Sequence, residues 1–170
     1  MEPVHVANFF LTQARKEDDP ITTLKLLKLV YIGYGWAAAV LDRKLFDEPI
    51  EAWAHGPVVE SIYHEFKHFG SAEITEMGVY YNLESSEVTE PHIPNEEKEV
   101  LKLLGLVWGI YKRFSAWDLR DKTHELGTPW SDVFRAGKSN IEIGHEAIRE
   151  HFKVKIMEYL NHDRSNKTAA

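Results

Sequence analysis

The sequence predicts a mainly α-helical fold: a compact, single-domain helical bundle with a small β element, either a short strand or a hairpin. Its 170 residues match the size of one ordinary domain, and 44% hydrophobic with 28% charged residues is typical of a globular chain. Apolar residues recur at helical spacing in several segments, and no internal repeat or linker divides the chain. We therefore predict one domain over residues 1–162 and a flexible tail over residues 163–170.

The first two helices have the clearest patterns. Residues 4–16 carry apolar side chains at helical spacing, and Asp18-Asp19-Pro20 ends that helix. Thr22 or Thr23 can cap a second helix that runs through residues 25–42. It is apolar on nearly every face except for Lys25 and Lys28 near its start, and it is therefore predicted to be the central helix. Gly33 and Gly35 inside it each cost roughly 1 kcal/mol against alanine, which indicates a neighbour packed against the backbone.

The segment after the second helix is less regular. Phe46–Trp53 alternates and contains a proline, which predicts a short edge strand or an extended arm. His55-Gly56-Pro57 predicts a turn, with the proline at the first position of a third helix that ends at Gly70. Farther on, Val79–Tyr81 and Val88–Ile93 are candidates for a short hairpin.

Most of the remaining predicted helices begin at recognisable caps. Asn95, followed by two glutamates, predicts the start of a fourth helix, because carboxylates favour the positive end of a helix dipole. Ser115 and Asp118 have the spacing of a capping box, and Thr128-Pro129 predicts a short sixth helix. A last helix is predicted over about residues 144–160, with Ile148, Phe152, Ile156 and Tyr159 facing inward.

Charge and composition argue against several classes of function. The net charge of −7 argues against a nonspecific nucleic-acid binder, which depends on basic contacts to phosphates, and Lys112-Arg113 is too small a basic patch. No stretch reaches the ~18 to 20 apolar residues of a membrane span, and the acidic start is unlike a signal peptide, so we expect a cytoplasmic protein without a membrane partner. Zero cysteines exclude disulfides and thiolate metal sites. No phosphate-binding glycine loop follows a strand, and no cofactor is predicted.

One short motif points to an enzyme. His64-Glu65-Phe66-Lys67-His68 matches the H-E-x-x-H pattern of zinc metalloproteases, in which two histidines bind the metal. On a helical wheel, however, Ile62 and Phe66 define the buried stripe, and both histidines fall on the opposite side without an obvious third ligand. We therefore predict no metal site, no catalytic residue and no enzyme, and a zinc-dependent hydrolase is the alternative function.

Two other groups of residues are candidates for binding. Loops held by a rigid scaffold often carry binding residues, and a tryptophan beside a turn favours an interface. The alternative is that these side chains only brace the arm on the bundle, since most of the five tryptophans are expected in the core. The candidates are Trp53, His55, Gly56, Pro57, His124 and Trp130.

Several motifs follow one another in a specific order. The first half has KLLKLVYIGYGW at residues 25–36, Leu45-Phe46, EAWAHGPV at 51–58, and Tyr63 and Phe66 before Gly70. The second half has SAWDL at 115–119, Thr123-His124, Pro129-Trp130, Ile148 and Phe152. This succession, over about residues 3–153, resembles the Panacea domain, the antitoxin domain of SocA-like proteins that also occurs in phage-associated GepA-like proteins.

The resemblance implies a binding function. Members of this family are antitoxins that neutralise a cognate toxin by direct protein–protein binding, and a SocA-like member resembles a proteolytic adaptor that delivers its toxin to a protease. Tyr63 joins the candidate binding residues because the family pattern shares it. Leu27 and Gly33-Tyr34 stand where the family often has glutamine and alanine-glutamine, which implies a changed partner if that face makes contact.

Overall fold

The computed structural model describes residues 1–81 and 86–168, with side chains as far as Asn161. In these ranges the protein is mainly α-helical, with two small two-stranded antiparallel sheets, which confirms the predicted fold class. The elements are, in chain order, α1 (Pro3–Lys16), α2 (Thr23–Val40), β1 (Ile50–Trp53), β2 (Gly56–Val59), α3 (Glu60–Phe66), β3 (Tyr80–Tyr81), β4 (Val88–Thr89), α4 (Lys98–Tyr111), α5 (Ala116–His124), α6 (Pro129–Val133) and α7 (His145–Thr168). A 3₁₀ turn, Lys67–Phe69, follows α3.

Helix α2 is the buried centre of the bundle, as predicted. All of residues 25–38 are buried, and α1, α4, α5 and α7 pack around them. A Cβ at Gly33 would lie 2.8 Å from Leu104 Cδ2 on α4, and a Cβ at Gly35 would lie 2.1 Å from Phe152 Cδ2 on α7. Two neighbouring helices therefore approach α2 this closely because these positions have no side chain.

The predicted arm and turn form a regular hairpin. Trp53 pairs with Gly56, so Ala54 and His55 are the two residues of the connecting loop. The other edge of β1 pairs with residues 141–143 through backbone hydrogen bonds of 2.8 and 2.7 Å. This pairing ties the hairpin to the chain that leads into α7.

Two predicted helix starts are wrong. Pro57 does not begin the third helix but lies in the edge strand β2, where a missing amide hydrogen is tolerated, and α3 begins at Glu60. Asn95 does not cap α4: the amide of Glu97 donates to the carbonyl of Pro94 in a turn, and the helix begins only afterwards. By contrast, the predicted caps of α2, α5 and α6 are confirmed, including the capping box before α5.

Helix α7 is longer than its sequence pattern indicates. It continues to Thr168, past the predicted end near residue 160, and the flexibility of residues 163–170 stays a prediction. Ile148 and Phe152 are buried as expected, whereas Tyr159 is 40% exposed. None of the helices in the described ranges combines the length and apolar character needed to cross a membrane.

The segment between α3 and α4 is attached to α1 by one buried side chain. Asn8 donates to the carbonyls of Gly78 and Pro91, each at 2.9 Å, and its Oδ1 accepts from the Gly78 amide at 2.8 Å. The predicted hairpin is present as β3 and β4; residues 82–85, between the strands, lie outside the described ranges.

Candidate functional site

The β1–β2 turn lies over a buried lysine. Lys28 is 0% exposed, and its Nζ donates to the carbonyl oxygen of Pro57 at 2.9 Å. Burial, with a smaller effect from the nearby Arg120 charge, lowers the pKa of Lys28 to about 7. A Cβ at Gly56 would lie 2.7 Å from both Lys28 Nζ and Thr123 Oγ1, and its φ of +102° also favours glycine. The turn is therefore shaped to cover this ammonium group.

Two predicted residues hold the turn from α5 and α6. Trp130 Nε1 donates to the carbonyl of Trp53 at 2.8 Å, and His124 Nε2 lies 3.2 Å from the carbonyl of Ala54. The other ring nitrogen of His124 lies 2.7 Å from the carbonyl of Arg120. The rings of His124 and Trp130 contact each other with centroids 3.7 Å apart. Because two consecutive carbonyls of the turn have side-chain partners, its backbone position is well defined.

An open cleft lies between this turn, α3 and the start of α5. We call it the aromatic cleft and define it by Trp53, Tyr63 and Trp117 together with Leu24 and Leu27 of α2. Its volume is about 560 Å³, within the range of about 300–1,000 Å³ typical of ligand sites. The rings of Trp53 and Tyr63 meet edge to face with centroids 4.9 Å apart. The cleft therefore offers an apolar surface with fixed walls.

The seven predicted binding residues all lie around the turn, but in two groups. Trp53, His55 and Tyr63 line the aromatic cleft. The other four lie beneath or behind it: Gly56, Pro57 and Trp130 are buried, and His124 is half-buried. In this geometry the first group can contact a partner, whereas the second group positions the turn.

Trp117 lines the cleft but is not among the binding residues predicted from the sequence. It was expected in the core with the other tryptophans, but it is 59% exposed. The signal was present: Ser115 caps α5 and Leu119 is buried, so a residue two positions before Leu119 points roughly 200° away from the core. Arg120 Cζ lies 5.8 Å from the Trp117 ring centre, and the His55 ring lies 6.3 Å away.

The H-E-x-x-H segment is arranged differently from a metal site. His64 and His68 are both exposed, as the helical wheel predicts. Both nitrogens of His64 already have partners, since Lys67 Nζ lies 3.0 Å from Nδ1 and Glu60 Oε1 lies 3.4 Å from Nε2. Among the described residues, no group of three or more histidine, aspartate or glutamate side chains is placed to hold a metal ion.

Comparison with known proteins identifies the family. Residues 26–131 match the model of the family described as antitoxin SocA-like, Panacea domain. This is more than half of the chain and contains all seven predicted binding residues, and the protein therefore belongs to this family. Over 154 residues, 87% of this chain and 80% of the relative, it is 28% identical to antitoxin SocA of Caulobacter vibrioides (strain NA1000 / CB15N). No solved structure matches the chain.

Proposed function

We propose that this protein is a cytoplasmic antitoxin that neutralises a cognate toxin by direct protein–protein binding and carries out no chemistry of its own. Family membership supports the antitoxin role. The observation that carries the binding mode is the aromatic cleft beside the braced turn, where Trp117 is 59% exposed. Tryptophan and tyrosine supply most of the binding energy at many protein interfaces.

Occlusion is the simplest mechanism for such a surface. A standard interface buries about 800 Å² per partner, so the cleft would form the centre of a larger contact rather than the whole of it. The turn would enter the complex with little rearrangement, because Trp130 and His124 already hold two of its carbonyls. Binding energy is then not lost to ordering the loop.

Co-expression tests the function. The candidate toxin is the product of the gene adjacent to this one, placed under an inducible promoter. We expect induction alone to stop growth, and growth to be restored when this protein is also produced and co-purifies with the toxin. No rescue together with no co-purification would contradict the proposal. A variant that keeps the fold but lacks Trp117 separates rescue by this surface from rescue by any acidic protein.

A second mode within the same function is delivery of the toxin to a protease. The family resemblance supports it, because a SocA-like protein resembles a proteolytic adaptor. The toxin half-life after translation is stopped distinguishes the two modes. An adaptor shortens the half-life only when the protease is present, whereas an occluding antitoxin leaves it unchanged or lengthens it. The protease is thus a second partner under the adaptor mode alone.

A further inference from the structure

The charges around the aromatic cleft differ from those of the whole chain. The protein carries a net charge of −7, yet the lining of the cleft contains the exposed Lys67 and, within the described ranges, no aspartate or glutamate. The cleft is therefore a local exception to an acidic surface.

Three carboxylates near the cleft are engaged by the protein itself. Glu51 accepts from the indole nitrogen of Trp53 at 2.8 Å, and Asp118 accepts from Ser115 in the capping box before α5. Asp121 accepts from Arg120 at 2.9 Å. These contacts hold those carboxylates on the chain's own donors, whereas Lys67 Nζ lies 3.0 Å from Nδ1 of His64 and forms no ion pair with a carboxylate among the described residues.

We propose that the occupant of the aromatic cleft is a segment of the toxin in which a bulky apolar side chain is flanked by carboxylates. This inference rests on the proposed function. The apolar side chain enters between Trp53 and Trp117, where the walls are aromatic and Leu27 is buried beneath them. The carboxylates lie at the basic edge, near Lys67. Opposite charges at an interface edge mainly raise the association rate, and a buried aromatic contact mainly slows dissociation.

The apolar side chain and the carboxylates of the proposed occupant should therefore affect different rate constants. Trp117→Ala is expected to weaken binding at least about 30-fold, mostly through faster dissociation, as for an interface residue of central importance. Lys67→Glu is expected to lower the association rate roughly tenfold at low ionic strength, and high salt should remove most of that difference. Both residues are exposed, so neither change should disturb the fold.

The experiment measures association and dissociation rates with the purified product of the adjacent gene, at low and high ionic strength. Two controls match the two changes: Tyr81→Ala removes an exposed aromatic ring, and Lys102→Glu reverses an exposed lysine, both outside the cleft. Overlapping peptides of the toxin should include a binder that contains an apolar residue beside acidic ones. Its binding should be lost with Trp117→Ala.

The possible outcomes separate the inference about the cleft from the proposed function. Effects at Trp117 and Lys67 with unchanged controls support the inference. If the wild-type protein binds and neutralises the toxin but both cleft variants do so equally well, the inference is overturned while the proposed function stands. A loss at Trp117 without any salt-dependent effect at Lys67 means an occupant without carboxylates, which also overturns it. A dimer of this chain that dissociates with Trp117→Ala overturns it in favour of self-association. Failure of the wild-type protein to bind the toxin or to rescue growth overturns both the inference and the proposed function.

Discussion

Replacing Lys28 by methionine should remove the part of the free energy of unfolding that changes with pH because Lys28 titrates. Methionine keeps the straight side chain but has no charge, so it fits the same buried path between α2 and the β1–β2 turn. In the folded protein the pKa of Lys28 falls to about 7, because burial disfavours the charged ammonium and the Arg120 charge adds to this effect. In the unfolded chain the pKa returns to its ordinary value of about 10.5.

The direction and the size of this effect of Lys28 on stability follow from proton linkage. Between about pH 7 and 10.5 the unfolded chain holds a proton on Lys28 that the folded protein has released, so stability rises with pH in that window and is constant for this group below it. The difference of about 3.5 pH units corresponds to roughly 5 kcal/mol in full, of which about 2 kcal/mol is gained between pH 7 and about pH 9. Methionine should abolish this gain.

Urea denaturation, monitored by tryptophan fluorescence at each pH, measures this change in the free energy of unfolding. We expect the free energy of unfolding of the wild-type protein to rise by about 2 kcal/mol more than that of Lys28→Met over this interval. The variant also leaves the carbonyl of Pro57 without its donor, but that cost does not vary with pH, so the slope rather than the absolute stability is the test. Lys102→Met, at an exposed position, is the control and should follow the wild type. Parallel pH profiles for wild type and Lys28→Met would refute the reasoning.

Three further predictions concern stability. Asn8→Ala removes three buried hydrogen bonds and should cost about 3 kcal/mol or more, with faster hydrogen exchange at the Gly78 amide; an unchanged exchange rate there would contradict it. Gly35→Ala places a methyl group 2.1 Å from the Phe152 ring. The overpacking should cost about 1–3 kcal/mol, which outweighs the gain of up to about 1 kcal/mol in helix propensity. A raised melting temperature would disprove this. Ser115→Ala should cost about 1 kcal/mol in urea denaturation through loss of the capping box, whereas Ser115→Asn, whose side-chain oxygen can still accept from the Asp118 amide, should retain most of that stability.

Helices were predictable where their signals are local. The apolar faces of α1 and α2 and the caps of α2, α5 and α6 depend on residues a few positions apart, and the structure confirms them. Close packing at Gly33 and Gly35 was also predictable, because a glycine in a helix interior is costly unless a neighbour needs the space.

The two wrong helix starts have different causes, one distant in the sequence and one local. Pro57 looks like the first residue of a helix, but β2 forms because β1 is fixed on its other edge by residues 141–143, which lie more than eighty positions away. Asn95 has the composition of a cap, but a turn involving Pro94 and Glu97 comes first and moves the start of α4. The first competing interaction cannot be recognised from spacing within one segment, whereas the second is a local turn formed by residues that also suit a helix start.

The sequence selects residues that the structure brings together around one turn, but it does not distinguish the roles of those residues. The sequence allows the residues near the turn either to bind a partner or to brace the arm. In the structure Trp130 and His124 contact the backbone of the turn, whereas a binding role for the residues that line the cleft stays a proposal. Trp130 and His124 hold the carbonyls of Trp53 and Ala54, so a change at either should alter stability as well as binding. Trp117 is exposed, and a change there should alter binding alone. A binding surface that includes an independently braced turn loses little entropy when it binds, which favours the direct contact proposed above.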